Sequence, residues 1–378
     1  MMRISDIMIQ MQNPFKFLQP LRFLKQTITP SYLGVDIGTT SIKVVEVKQG
    51  ERLPQILNYA ILESRSSLLR VNTALQTSAL KLFEREIIDL LKATIAQMKP
   101  QTRETVASFP IFSAFTTILT FPEMSKSDLE KSIAFQAKQY IPVPISEVAI
   151  DWMKVGEYRD EKGFNYQQIF LISVPLEQIV RYKRIFKEAG LNLGTLEIEN
   201  LSLTRALVGT DQTPTFIIDI GSRSTVVVIV DKGSVHFSGQ SDFAGSSLTQ
   251  SLSSSLNINP LRAEELKKER GIIGTGPNYE LSTIMLPFVD AIINEVKRVE
   301  FNYKNQVPGA RTIERAILSG GGANLLGIEK YVQERLGIPT VKAAPLLRFE
   351  YPSTIEPLAG ELNPLLSVAL GLTLREFS

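Results

Sequence analysis

Two stretches of the chain share one alternation of apolar and polar positions. Residues 35–47 read VDIGTTSIKVVEV and residues 216–230 read FIIDIGSRSTVVVIV. In each, a β-branched run enters Asp-Ile-Gly, a short hydroxyl-rich loop follows, and a valine-rich run leaves. The pattern predicts a β-hairpin with a carboxylate at the end of the incoming strand and a tight glycine turn. Backbone N–H groups converging in such a turn make an anion-binding concavity. The Asp itself repels phosphate but can hold Mg²⁺ or its water shell. One Asp-x-Gly turn is commonplace; two facing copies would clamp a metal–polyphosphate from both sides.

The remaining periodicity sorts into blocks. An α/β unit runs from Tyr32 to about residue 100, with a helix marked by Leu82, Ile87, Ile88, Leu91 and Ile95. Residues 104–190 form a different block. Its strand candidates ETVASFP and FTTILTFP precede a helix opened by Ser127 with Glu130 three residues later, a capping-box pattern. Leu129, Ile133, Ala137 and Tyr140 share one face of that helix, which stops at Ile141-Pro142-Val143-Pro144. Two more strands and a helix over 176–189 complete the block, its Arg181, Lys183, Arg184 and Lys187 reading as a solvated face. After Gly190 the α/β style resumes: TLEIEN leads into a helix from Glu199 to about Val208, and the second hairpin set spans 215–240. Residues 245–310 read as helical, with helix 281–305 burying Leu281, Ile284, Met285, Phe288, Ile292 and Val299. AILSGGGANLLGIEKYV, residues 316–332, reads as a strand, a triple glycine and a helix, and a helix from about Asn363 to Glu376 closes the chain. GIIGTG at 271–276 reads as a loop between helices.

Residues 1–30 stand apart as a leader with Phe15, Phe17, Leu18, Leu21, Phe23 and Leu24 among Lys16, Arg22 and Lys25. Such a segment either lies on an anionic membrane surface or is a flexible extension that docks on its own domain or is disordered. Pro14 and Pro20 interrupt any helix there.

Composition narrows the chemistry. At 378 residues the chain exceeds one ordinary core and suggests two or three units at ~150 residues each. Formal charge is +2, which gives no global argument for nucleic-acid binding. Absence of cysteine removes disulfides, thiolate catalysis and Cys-ligated zinc, and His236 alone makes His-based metal sites and Ser–His–Asp triads poor candidates. No apolar run reaches ~18 residues, so no membrane-crossing helix is expected, and the first 30 residues lack the h-region and cleavage site of a signal peptide.

Around the hairpins, Lys43 on the first outgoing strand either neutralises phosphate as a point charge or is an exposed strand lysine. Thr39, Thr40 and Ser41 add hydroxyl donors, as do Ser222, Ser224 and Thr225 beside Gly221, while Arg223 reaches the polyphosphate or faces water. Gly320, Gly321 and Gly322 leave no Cβ between strand and helix, so a flat base or ribose can lie against backbone there; a plain flexible turn is the other reading. Glu264 and Lys267, at i and i+3 on a helix starting near Pro260, bond the two ribose hydroxyls or form a surface ion pair. No GxxxxGK[ST] and no GxGxxG occurs, which withdraws support from P-loop and dinucleotide-binding readings.

The two hairpins, the Glu264/Lys267 pair and the glycine-rich junction occur in the order found in the actin-like ATPase superfamily. Within it the chain resembles the PilM family of type IV pilus assembly, most specifically over FPEMSKSDLEKSIAFQAKQYIPVPISEVAIDW, residues 121–152. The resemblance covers residues 32 to 376. It implies an α/β, actin-like (ribonuclease H-like) two-lobed ATPase fold. After the leader 1–31 its subdomains would be IA over 32–103, IC over 104–190, IA again over 191–212, IIA over 213–246, IIB over 247–312, IIA again over 313–360, and a closing IA helix over 361–378.

The resemblance also implies the ligands: ATP with Mg²⁺ in the cleft. Asp36 and Asp219 become the metal-side carboxylates, acting through water. Gly38, Thr39, Thr40 and Lys43 bind phosphate on one wall, and Gly221, Ser222 and Ser224 on the other. Glu264, Lys267, Gly320, Gly321, Gly322 and Ala323 hold the adenosine. Glu199 opens the helix where chaperone-type relatives carry the Glu of a Glu-Pro pair that positions the attacking water; here Asn200 follows instead, so at most slow ATP hydrolysis is expected. The implied partner is the short cytoplasmic N-terminal segment of the inner-membrane protein PilN, docking between IA and the 104–190 block with Phe135, Tyr140 and Ile145 as apolar contacts. Other inner-membrane pilus components would follow, at the cytoplasmic face of that membrane. An FtsA-like cell-division filament protein, which would self-associate, and a sugar kinase of the same superfamily are the competing readings. FtsA ends in a linker and membrane helix where this chain stops, and small sugar kinases carry a cysteine-rich zinc loop that this sequence cannot make.

Overall fold

The computed structural model describes residues 30–63, 84–273 and 279–377. The leader through Thr29, Leu82 of the expected first helix and residues 274–276 of the GIIGTG loop lie outside the described residues. Along the chain the strands and helices are β1 (Ser31–Ile37), β2 (Ser41–Lys48), β3 (Gln55–Glu63), α1 (Glu84–Met98), β4 (Glu104–Phe109), β5 (Phe115–Pro122), α2 (Lys126–Tyr140), β6 (Val148–Arg159), β7 (Asn165–Pro175), α3 (Leu176–Glu188), β8 (Asn192–Ile198) and α4 (Glu199–Leu207). They continue as β9 (Thr215–Ile220), β10 (Thr225–Asp231), β11 (Ser234–Ser241), α5 (Gly245–Leu256), α6 (Pro260–Arg270), α7 (Tyr279–Gln306), β12 (Arg315–Ser319), α8 (Ile328–Leu336), β13 (Thr340–Lys342) and α9 (Ala359–Leu374).

Two five-stranded sheets follow one plan. The first has the order β3-β2-β1-β4-β8 and the second β11-β10-β9-β12-β13. In each, a third antiparallel strand extends the predicted two-stranded hairpin, and two parallel strands are added on the other side. The β-branched runs form the central strands because both of their faces are covered; every residue of β10 is buried.

A three-stranded sheet, β5-β7-β6, is inserted in the first lobe. Its boundaries differ from the 104–190 block read from sequence. ETVASF does not belong to it: β4 pairs in parallel with β1, with Val106 opposite Gly34 and Ala107 opposite Val35. At the other end α3 packs on α1 and β8 of the first lobe. The insert therefore begins at Phe115 and ends at Pro175. Helix α2 covers one face of it through Leu129, Ile133 and Ala137, but its cap is Ser125, two residues earlier than expected: Ser125 Oγ accepts from Asp128 N at 3.2 Å. The other face joins the main core, and Gln168 Nε2 reaches across to Pro308 O of the second lobe at 2.9 Å.

The chain end returns to the first lobe. Helix α9 packs against β1, β2 and α4. A Cβ on Gly371 would stand 2.0 Å from Ser202 O, so the α4–α9 crossing needs glycine. The segment Ser353–Phe377 is long and apolar enough to cross a membrane by length and composition, where no such run was expected. It is more than half buried and serves here as a core helix. The long helix α7 buries Met285, Val289, Ile292, Ile293, Val296 and Val299, while Leu281, Ile284 and Phe288 are only partly covered. The triple glycine leads into a 3-10 turn over Gly321–Asn324, and α8 starts later, at Ile328.

Candidate functional site

Both Asp-Ile-Gly motifs end their strands at one cleft between the lobes, with a volume of about 540 Å³. Each turn closes by the same backbone bond, Gly38 N to Ser41 O at 2.9 Å and Gly221 N to Ser224 O at 3.0 Å. Asp36, Gly38, Thr39, Thr40, Lys43, Glu199, Asp219, Gly221, Ser222, Ser224, Glu264, Lys267, Gly320, Gly321 and Gly322 all line this cleft. Ala323 does not. Its side chain is fully buried in the core of the second lobe, and the neighbouring Asn324 and Leu325 face the cleft instead.

The two carboxylates differ in their company. Lys43 stands opposite Asp36 across the hairpin and donates to its Oδ2 at 2.8 Å. Ser108 on β4 donates to Oδ1 at 2.9 Å while accepting from Ile37 N at 3.2 Å. Opposite Asp219 stands Val226. Burial pushes the Asp219 pKa up, against the pull of Ser319 beside it on β12 and of Lys43, and the charge of Asp36 adds to the rise. Burial works against the Lys43 charge, yet Asp36, Asp219 and Glu199 outweigh it and its pKa is raised.

Glu199 opens α4 on the cleft floor and accepts from Ile111 N at 3.1 Å. Burial, then the charge of Asp219, raises its pKa to about 8. The adjoining Asn200 is fully buried with no hydrogen-bond partner for either side-chain polar atom.

Farther out, α6 starts at the Asn259 cap with Pro260 in its first turn, placing Glu264 and Lys267 on one face. Lys267 Nζ lies 2.6 Å from Glu264 Oε2. Burial opposes the Glu264 carboxylate, but Lys267 and Thr249 more than offset this and its pKa is lowered; for Lys267, burial prevails over Glu264 and lowers the pKa. The opposite wall is the glycine loop. Gly320 has φ +78°, and a Cβ there would meet Ile220 O at 2.5 Å. Its N–H donates to Pro364 O at 2.9 Å, and Asn324 Nδ2 to Glu361 O at 2.9 Å, tying the loop to α9.

The family model described as type IV pilus assembly protein PilM matches residues 34–377. The chain belongs to the PilM family. A solved structure of a PilM–PilN type IV pilus biogenesis complex superposes with TM-score 0.76 at 21% identity, covering 92% of this chain and 98% of that one. MreB 5 of Spiroplasma citri bound to AMPPNP superposes with TM-score 0.53 at 15% identity, covering 92% and 96%. The cell division protein FtsA of Enterococcus faecalis (strain ATCC 700802 / V583) is 20% identical over 342 residues, 81% of this chain and 77% of that protein. The fold of this PilM-family chain is thus the mixed α/β actin-like ATPase fold.

Ser108 and Ser319 escaped the sequence reading. Each sits at or next to the end of the strand parallel to an Asp-bearing strand, and Ser319 is the register partner of Asp219. The signal was available as a second repeat, ETVASF against RAILS, each with its serine near the strand end. On the insert, Phe135 and Tyr140 are exposed, whereas Ile145 packs against the core of the three-stranded sheet.

Proposed function

We propose that the cleft binds ATP with Mg²⁺ and that this PilM-family scaffold couples nucleotide occupancy to capture of the N-terminal cytoplasmic peptide of PilN at the inner membrane. The observation that carries the nucleotide reading is the charge imbalance at the inner end of the cleft. Asp36, Asp219 and Glu199 converge there, with Lys43 as the cation that bears on all of them. Burying carboxyl groups without a counterion is unfavourable, so they either hold protons or attract a cation. Asp36 and Asp219 would hold Mg²⁺ through water, and the ion would supply charge neutralisation of the polyphosphate.

The protein's own residues divide the remaining work. Turn N–H groups and the hydroxyls of Thr39, Thr40, Ser222 and Ser224 hold phosphate oxygens from two sides. Lys43 bonds Asp36 with one N–H and keeps others for phosphate. The glycine loop and Glu264 receive the adenosine. Glu199 reaches the cleft but keeps its proton in the neutral range, so it is a poor base until a cation lowers its pKa; that agrees with slow hydrolysis at most.

Within the actin-like division of the chain, IC would cover the inserted sheet from Phe115 to Pro175, and β4 and α3 would belong to IA. The exposed Phe135 and Tyr140 on α2 suit the apolar side chains of a peptide docked there. Deleting 104–190 would remove β4 from the first sheet, so point changes are the cleaner probe. Thermal melting of the whole chain with Mg·ATP, Mg·ADP and EDTA tests the nucleotide reading. Mg·ATP at a hundredfold excess over Kd should add ~2.7 kcal/mol of stability; an identical melt in all three conditions would overturn it. Fluorescence anisotropy with a labelled PilN peptide tests the partner, and unchanged affinity in Phe135→Ser/Tyr140→Ser would move the docking site elsewhere.

A further inference from the structure

The Glu264–Lys267 pair is organised by a third residue on another helix. Thr249, on the second turn of α5, is 5% exposed and does not line the cleft. Its Oγ1 lies 2.5 Å from Glu264 Oε2 and 3.0 Å from Lys267 Nζ. Lys267 Nζ also donates to Gly245 O at 3.1 Å and to Glu264 Oε2 at 2.6 Å. An ammonium has three N–H bonds, and these three acceptors use all of them. Lys267 therefore has no donor left for a ligand in this arrangement. The Thr249 hydroxyl accepts from Lys267 and gives its one proton to the charged Glu264 oxygen, the stronger of its two nearby acceptors. Oε2 is thereby committed within the protein. Oε1 is left; among the described residues its ion-pair neighbour is Lys268 Nζ at 3.7 Å, beyond hydrogen-bond distance.

We propose that Thr249 is a positioning residue for ribose recognition. Together with Lys267 it pins Glu264 so that Oε1 alone faces the cleft as the acceptor for a ribose hydroxyl. Lys267 acts as a clamp on Glu264. This rests on the cleft binding ATP, and it deepens that reading by assigning sugar discrimination to a buried hydroxyl outside the pocket wall. Orienting one oxygen makes the acceptor rigid, so a ligand lacking the hydroxyl leaves a carboxylate oxygen unpaired.

The test is calorimetric affinity of the whole chain for the Mg complexes of ATP, 2′-deoxy-ATP and 2′,3′-dideoxy-ATP. The parent should prefer ATP to the dideoxy nucleotide by about tenfold or more, the worth of a hydrogen bond to a charged group. Thr249→Val should remove the preference while leaving dideoxy-ATP affinity unchanged, and Thr249→Ser should restore it. Glu264→Gln should also lose the preference, and adding Thr249→Val to it should change nothing further, because Thr249 acts through Glu264. If Thr249→Val does not fold, Thr249→Ala takes its place under the same requirement. Retention of the preference without the hydroxyl overturns the proposal, as does equal weakening of all three nucleotides. A parent that binds adenine nucleotides without regard to the sugar overturns this proposal alone, whereas a parent that binds none overturns the ATP reading and this one with it.

Discussion

The two lobes are built on one plan, and their difference is more informative than their likeness. Both hairpins end in Asp-Ile-Gly, both turns close by the same hydrogen bond, and both acidic residues have a serine on the neighbouring parallel strand. Across the hairpin, however, the first lobe places Lys43 opposite Asp36 and the second places Val226 opposite Asp219. One lobe arrives with its own counterion; the other presents a buried acid whose pKa is raised by burial. A symmetric pair of ion-paired acids would have no need of a metal. The asymmetric pair leaves a place for positive charge beside Asp219, which is where the proposed Mg·ATP reading would put its metal.

The comparison can be broken most severely by removing the charge of the first lobe. Lys43→Met should weaken ATP binding by on the order of a hundredfold, since it deletes a charge-assisted bond to phosphate. It should also destabilise the protein, leaving Asp36 buried with Ser108. Titration calorimetry and a denaturant melt read the two effects separately. A smaller, metal-independent loss is expected from Gly321→Val. A Cβ at Gly321 meets only Leu365 Cδ2, at 3.5 Å, so the fold tolerates it while the branches enter the cleft. ATP and ADP affinities should fall together, by about tenfold. A selective loss of ATP would move the phosphates to the glycine loop.

The smallest effect expected is on pH dependence. Glu199 holds its proton to about pH 8 when folded and loses it in the ordinary carboxylate range when unfolded. The folded state then binds more protons, so stability falls as pH rises toward 8. His236, whose pKa is lowered mainly by burial, acts in the opposite sense, but only at and below its ordinary value of 6.5. Between pH 6.5 and 8 the nucleotide-free protein should therefore melt progressively lower, and Glu199→Gln should flatten that slope. A parent whose melting temperature is constant over this window would remove the buried proton from the account.

What the sequence revealed and what it hid divide along physical lines. The hairpins were legible because strand alternation, β-branching and Asp-Ile-Gly agree at both sites. Helix α6 was legible from Pro260 and the i, i+3 spacing that follows, and the structure adds its Asn259 cap. Strand β4 was misassigned because a short apolar run reads alike in an inserted sheet and in a parallel core strand. The cap of α2 was misplaced because Ser125/Asp128 and Ser127/Glu130 have the same spacing, and only geometry separates them. Ser108 and Ser319 required strand register, which one-dimensional spacing lacks. The clamp of Thr249 required counting the donors of Lys267, which depends on coordinates from two helices. Ala323 was assigned to the adenosine by the family resemblance alone, yet the 3-10 turn directs its methyl into the core.

The central claim, that the second lobe supplies a carboxylate awaiting a cation while the first supplies its own, is tested most directly by ATP affinity measured against free Mg²⁺. Calorimetry on the parent and on Asp219→Asn, each in EDTA and in saturating Mg²⁺, gives four affinities. The account predicts that Mg²⁺ tightens ATP binding to the parent by about tenfold or more, and that Asp219→Asn loses most of this gain while keeping its metal-free affinity. Equal affinities for the parent with and without Mg²⁺, or an undiminished gain in Asp219→Asn, would contradict it.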